Sequence, residues 1–213
     1  MKIESGQSLC AFAIIVDINS FTSMVTASEG FLIAQFTRDV LAGAINAIQE
    51  EHGEVIGFMG DAILGLVPTA ETAFRSCVGI AKDLDQQCAY ISNQQNLIEQ
   101  DWGFAPGGPS LKIGIEYGEL DVSSIQSRCL GERKLVVGNA INYAARIIAP
   151  GKGNRCHIGP RAVANGVDAY PLSRVCRTRG KPGEGTYVYY KLDLGDVWIE
   201  GKRKKGVATY SSK

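Results

Sequence analysis

Two histidines in 213 residues, His52 and His157, leave little room for imidazole chemistry. They stand far apart, and neither sits in a Ser, Cys or Asp arrangement that suggests a triad, so nucleophilic catalysis is disfavoured. The six cysteines are Cys10, Cys77, Cys88, Cys129, Cys156 and Cys176, with no CxxC pair among them. Most lie in apolar or strand-like surroundings, as the core-filling thiols of a reducing compartment do. Net charge is absent as well, because Lys+Arg and Asp+Glu are both 22. That balance gives no reason to expect nucleic acid or an anionic membrane as a partner. No apolar run is long enough to span a bilayer, and the opening MKIESGQSLC lacks a signal peptide's apolar segment, so a cytoplasmic protein is expected.

What is present is an ordinary core. Hydrophobic residues make up 45% of the chain, enough for one domain over residues 1–213. Residues 1–9 read as a loose lead-in and 193–213 as a basic tail carrying Lys202, Arg203, Lys204 and Lys205, a solvated end. Ala11 to Val16 is continuous and apolar, a strand buried on both faces. It stops at Asp17, and Asn19-Ser20 can cap a short helix that Gly30 breaks. Phe31 to Glu51 repeats Ile33, Phe36, Val40, Ala44 and Ile48 at helical spacing and closes at His52-Gly53. A hairpin over 54–67 follows, turning at Gly60-Asp61. Thr69 can cap a second long helix with Ala73, Cys77, Ile80, Leu84 and Cys88 on its buried stripe.

The segment 93–110 reads as a loop. Leu111 to Glu116 is a strand, Glu119 to Ile125 its expected hairpin partner, and Ser127 to Glu132 a turn before a short strand at Lys134 to Val137. A helix, NAINYAARIIA, opens after Gly138 and stops at Pro150-Gly151. Short strands are expected at Cys156–Ile158, near Leu172–Cys176 and at Thr186–Leu192, with a brief helix at 160–165. The order predicts an α/β (α+β) chain: a ferredoxin-like βαββαβ core with helices on one sheet face and a C-terminal β/α extension. The other sheet face then needs cover, and a second copy of the chain is the economical choice.

Three constellations carry chemistry. Asp17 leaves a buried strand, and Asp61 sits in the neighbouring hairpin's turn. Each alone fits plain turn or cap chemistry. Together at one sheet edge they repel unless a cation lies between them, and oxygen-only ligands suit Mg²⁺ or Mn²⁺ completed by substrate phosphates. Ile18, Asn19, Ser20, Phe21 and Thr22 run into a helix start, whose free N–H groups favour an anion. Asn142 and Arg146 share one helix face, as a solvated polar stripe or as groups that orient a sugar and stabilise a charged transition state. Lys181 lies in a basic Gly/Pro turn, either an ordinary turn or one that places the ammonium on phosphate oxygens.

The pieces VDINSFT, MGDAIL, LKIGIEYG, VGNAINYAAR and RGKPGEGTYVYY, in this order across most of residues 10–190, resemble the catalytic domain of class III nucleotidyl cyclases. The resemblance implies the class III cyclase fold and a homodimer with composite sites at the interface. Asp17, Asp61 and the carbonyl of Ile18 would hold two metal ions from one subunit. Asn142 and Arg146 would come from the other, and Lys181 would bind the triphosphate. The reaction implied is attack of the ribose 3′-hydroxyl on the α-phosphorus with release of pyrophosphate.

Purine cyclases of that family read the base with a Lys or Glu four positions before the hairpin aspartate. They use a second polar residue three before the glycine of the Asn/Arg helix. Here those positions hold Gly57 and Leu135, and Phe58 puts bulk beside the first. A hydrogen-bonding readout cannot be replaced by an apolar pocket, so a smaller base is expected. The sensor or membrane domains that usually accompany these cyclases are not expected here. In both respects it is similar to the stand-alone bacterial pyrimidine cyclases of Pycsar anti-phage systems. That likeness implies cyclic UMP or cyclic CMP made for a cyclic-nucleotide effector. The competing readings are an adenylyl or guanylyl cyclase with atypical base contacts, a catalytically inactive nucleotide-binding regulator, and a ferredoxin-like RNA-binding module. The even charge and the lack of exposed aromatics on the central strands oppose the last.

Overall fold

A computed structural model of the chain describes residues 1–27, 30–93, 110–129, 131–149, 155–167 and 172–193. The loop read between 93 and 110, the Pro150-Gly151 stop, the Cys88 side chain and the basic tail lie outside the described residues. Among the described residues the elements follow in the order β1 Ser8–Ile18, α1 Phe21–Ala27, α2 Gly30–Glu50, β2 Glu54–Met59, β3 Ala62–Val67, α3 Ala70–Asn93, β4 Leu111–Ser127, β5 Gly131–Val137, α4 Asn139–Ile148, β6 Arg155–Ile158, α5 Pro160–Ala164, β7 Cys176–Arg179 and β8 Thr186–Asp193. Among the described helices, none is long and apolar enough to cross a membrane.

The sheet runs β2-β3-β1-β4-β6-β8-β7, with β5 paired to β4. Its first four strands have the order and antiparallel pairings of a ferredoxin-like core, with β1 in the middle. The continuous apolar run of β1 is explained by that position, since Ala11, Phe12, Ala13, Ile14, Ile15 and Val16 are all buried. Even-numbered residues Phe12, Ile14 and Val16 join Ile63, Ile113 and the stripes of α2 and α3 in one cluster. Odd-numbered Ala11, Ala13 and Ile15 join Leu64, Leu66 and the stripe of α4 in another.

Helix ends follow local chemistry. Thr69 and Thr72 exchange side-chain and backbone bonds at the start of α3, with Thr72 N–H donating to Thr69 Oγ1 at 3.2 Å and Thr69 N–H to Thr72 Oγ1 at 3.1 Å. α2 closes in a Schellman arrangement: His52 N–H donates to Gln49 O, and Gly53 N–H donates to Ile48 O, both at 2.9 Å. His52 takes the left-handed turn, φ 59°, ahead of Gly53.

Four expectations change. Gly30 begins α2 rather than merely ending the helix before it. Leu111 to Ile125 is not a hairpin: β4 is continuous, Gly118 pairs with Ala11 inside the ladder, and the hairpin partner is β5. A Cβ at 118 would come 3.2 Å from Ala140 Cβ, so this glycine serves a close helix approach and not a turn. The strand sought near Leu172–Cys176 is Cys176–Arg179, paired with β8. Finally, part of the second sheet face is covered within the chain: α4 packs Ala140, Ala144 and Ile148 on Ala11, Ala13 and Ile15. Gly114 admits the helix, since a Cβ there would meet Ala144 O at 2.6 Å.

Candidate functional site

Register brings the two acids together. Asp17, near the end of β1, faces Ala62 on β3 and Lys112 on β4. Asp61 precedes Ala62 in the two-residue turn after Met59, where Gly60 takes φ 70° as the first central position of such a turn requires. Asp61 therefore stands within hydrogen-bonding reach of Asp17. Lys112 Nζ lies 3.7 Å from Asp17 Oδ2 and pulls the Asp17 pKa down. Burial, and then the Asp61 charge, push it up and prevail. Even with Lys112 in place, the pair is short of positive charge, which is the electrostatic condition a divalent cation relieves. The side-chain donors here are oxygen only, the two carboxylates, and Ile18 follows Asp17 as the last residue of β1. Among the described residues, no cluster of three or more His, Cys, Asp or Glu could hold a metal ion. A two-carboxylate site fits a hard ion that draws further oxygens from a substrate.

The chain leaves β1 through a strained corner. Ser20 adopts φ 61°, unusual for a residue with a Cβ, and its carbonyl accepts from Met24 N–H at 3.1 Å. Asn19 is tied to Ser110 twice, by N–H to the carbonyl at 2.9 Å and by Nδ2 to the hydroxyl at 3.0 Å. These bonds fix residues 19–22 beside the acids, with Phe21 and Thr22 in the first turn of α1.

Asn142 is exposed on α4, one turn before Arg146. Arg146 is not a solvated stripe residue. Its Nε and Nη2 donate to the two carboxylate oxygens of Glu184, each at 2.8 Å. The same carboxylate accepts from Lys181 N–H at 3.1 Å and Tyr187 O–H at 3.2 Å. The Arg146 bonds foremost hold Glu184 down to about 2. Lys181 itself is exposed in the turn between β7 and β8. A second link joins α4 to β8: Tyr143 O–H donates to Val188 O at 2.9 Å and accepts from Val188 N–H at 3.0 Å. Glu184 and Lys112 were missed in the sequence. Glu184 offered one signal, its place three residues after Lys181.

The expected base readers are spread out. Gly57 pairs with Leu64 of the α4-side cluster, whereas Phe58 pairs with Ile63 of the α2/α3-side cluster. The Phe58 ring, 63% exposed, thus lies across the strand from position 57. Open space surrounds Gly57, with nothing within 4 Å of an added Cβ. Leu135 is exposed on β5 opposite Ser123, and by the same register Val137 and Ile125 share its face. Lys134 Nζ pairs with Glu54, joining β5 to β2.

The sheet thus brings paired acids from its central strand and the neighbouring hairpin to one edge. Comparison with known proteins gives the family. The profile described as "Adenylate and Guanylate cyclase catalytic domain" matches residues 4–205. The chain belongs to that family. An adenylate cyclase of Anabaena cylindrica is 31% identical over 142 residues, which are 67% of this chain and 27% of that protein, so the chain spans about a quarter of that relative's length. Two solved structures share the fold at low identity. A guanylyl cyclase superposes with a TM-score of 0.73 at 20% identity, over 88% of this chain and 93% of its own. A dimeric guanylyl cyclase domain of a RhoGC fusion protein from the fungus Blastocladiella emersonii gives 0.64 at 16%, over 88% and 99%.

Proposed function

We propose that this protein is a homodimeric nucleotidyl cyclase that closes a pyrimidine nucleoside triphosphate, UTP ahead of CTP, to its 3′,5′-cyclic monophosphate with release of pyrophosphate. The observation that carries the reading is the Asp17/Asp61 pair, two carboxylates in contact at one sheet edge and short of positive charge. Bound Mg²⁺ or Mn²⁺, two ions per site, would supply Lewis-acid chemistry that acidifies the ribose hydroxyl and neutralises phosphate charge.

The chain's own groups do the rest. Asp17, Asp61 and the Ile18 carbonyl would hold the ions of one subunit's half-site. Residues 20–22 offer main-chain N–H groups to phosphate oxygens, while the Asn19 N–H, given to Ser110 O, anchors the corner. Asn142 of the other half orients the ribose, Arg146 meets the charge that develops at the α-phosphorus, and Lys181 binds the triphosphate. Exposed apolar residues at the β2 end, Phe58 and Met59, and on the β4–β5 ribbon, Ile125, Leu135 and Val137, support a surface where two copies meet.

The base preference rests on Gly57 and Leu135, neither of which can hydrogen-bond a purine through its side chain. Resemblance to the Pycsar cyclases supports a role in anti-phage signalling to a cyclic-nucleotide effector. A second reading, adenylate or guanylate cyclisation with atypical base contacts, is favoured by the adenylate cyclase relative at 31% identity. Incubation with each of the four nucleoside triphosphates and Mn²⁺, with the product identified by mass, separates them. Cyclic UMP or cyclic CMP as the main product is expected, and dominant cyclic AMP or cyclic GMP refutes the pyrimidine assignment.

A further inference from the structure

We propose that Glu184 is a positioning residue for the reaction: it holds the Arg146 guanidinium and the Lys181 turn as one preformed cationic unit. The inference deepens the proposed function and rests on Arg146 acting at the reacting phosphate.

The geometry is specific. Glu184 takes Arg146 through Nε and Nη2, both at 2.8 Å, across 38 residues of sequence. Neither of these two bonds uses Nη1. The same carboxylate fixes the turn, accepting Lys181 N–H at 3.1 Å, while Glu184 N–H donates to Lys181 O at 2.8 Å. Gly180 makes the turn tight enough, since a Cβ there would meet Glu184 Cβ at 2.5 Å. The pair is partly buried, with side chains 32% and 28% exposed.

An arginine left free would have to lose its rotamer freedom at the moment of reaction. One held in a fork has lost it already. The carboxylate also weakens the guanidinium's positive field. The two effects have opposite signs, which makes the role measurable. Positioning predicts that losing Glu184 slows turnover; an inhibitory latch predicts that it speeds turnover.

The experiment measures kcat and KM with the preferred triphosphate and Mn²⁺ for the wild type, Glu184→Ala, Glu184→Gln and Arg146→Lys, and for Arg146→Lys combined with Glu184→Ala. Glu184→Ala is expected to lower kcat about 10- to 100-fold, with KM moving less than about threefold. Glu184→Gln, which keeps one fork acceptor, is expected to recover part of the loss, and it answers the question should Glu184→Ala fold poorly. In the Arg146→Lys background, removing Glu184 is expected to change kcat little, because the two act as a unit. A wild-type or raised kcat in the Glu184 variants overturns the proposal, as does a kcat loss of equal size in both backgrounds. Full activity of Arg146→Lys is a different failure, because it removes Arg146's role and with it that part of the proposed function.

Discussion

His157 makes the stability of the fold pH-dependent in a calculable way. It sits on β6 with no exposed surface, beneath the C-terminal end of α4, the helix that carries Asn142 and Arg146. Its Nδ1 is 2.6 Å from Ile147 O, which can only accept, so Nδ1 carries the proton of the neutral ring. Nε2 is buried and has no protein partner among the described residues. Burial foremost, and then the nearby Lys191, Arg155 and Lys112, lower the pKa from 6.5 to about 4. A histidine depressed in this way binds fewer protons folded than unfolded between those values. Its contribution is therefore complete above pH 6.5 and declines as pH falls toward 4. Between pH 7.5 and pH 5.0 the loss is about 2 kcal/mol. Glu116, Asp17 and Asp83, whose pKa values are raised chiefly by burial, act in the opposite direction on acidification. The difference between wild type and His157→Gln isolates the imidazole. Urea unfolding at the two pH values should show the wild type losing about 2 kcal/mol more than the variant. Equal losses in both proteins would refute the buried neutral histidine.

Two further predictions follow from other buried contacts and from the base position. Glu116, 2% exposed, accepts Ala162 N–H at 2.7 Å and Tyr117 N–H at 2.9 Å, so Glu116→Ala should destabilise by about 1–3 kcal/mol by orphaning both donors, read as a lower urea midpoint. Gly57 has open space for a side chain, so Gly57→Lys combined with Leu135→Asp should leave the thermal midpoint nearly unchanged and raise the cyclic AMP share of the product. An unchanged product spectrum would remove positions 57 and 135 from the base pocket.

Much of this architecture was legible because burial leaves a periodic trace. The apolar run of β1, the stripes of α2 and α3 and the Gly60-Asp61 turn all announce themselves, and together they yield the ferredoxin-like order and the meeting of Asp17 with Asp61. What was hidden depends on contacts distant in sequence. A lone glycine marks a turn or a close approach equally well, and at Gly118 only its packing against Ala140 decides. α4 packs on part of the second face through Ala140 and Ala144, and the close approach depends on Gly114 and Gly118, far away in sequence. β7 is a short edge strand reading CRTR, with no buried residue to give it a pattern. The Arg146–Glu184 fork spans 38 residues, a pairing that no local spacing rule can forecast.

The most direct test of the paired acids as the seat of catalysis is cyclic-nucleotide formation by Asp61→Asn beside the wild type, each in saturating Mn²⁺ with the preferred triphosphate. Loss of the cation site removes several kcal/mol of transition-state stabilisation, so a fall of about 100-fold or more is expected in a variant that still folds. Product formed at the wild-type rate would show that these carboxylates do not hold the catalytic ions.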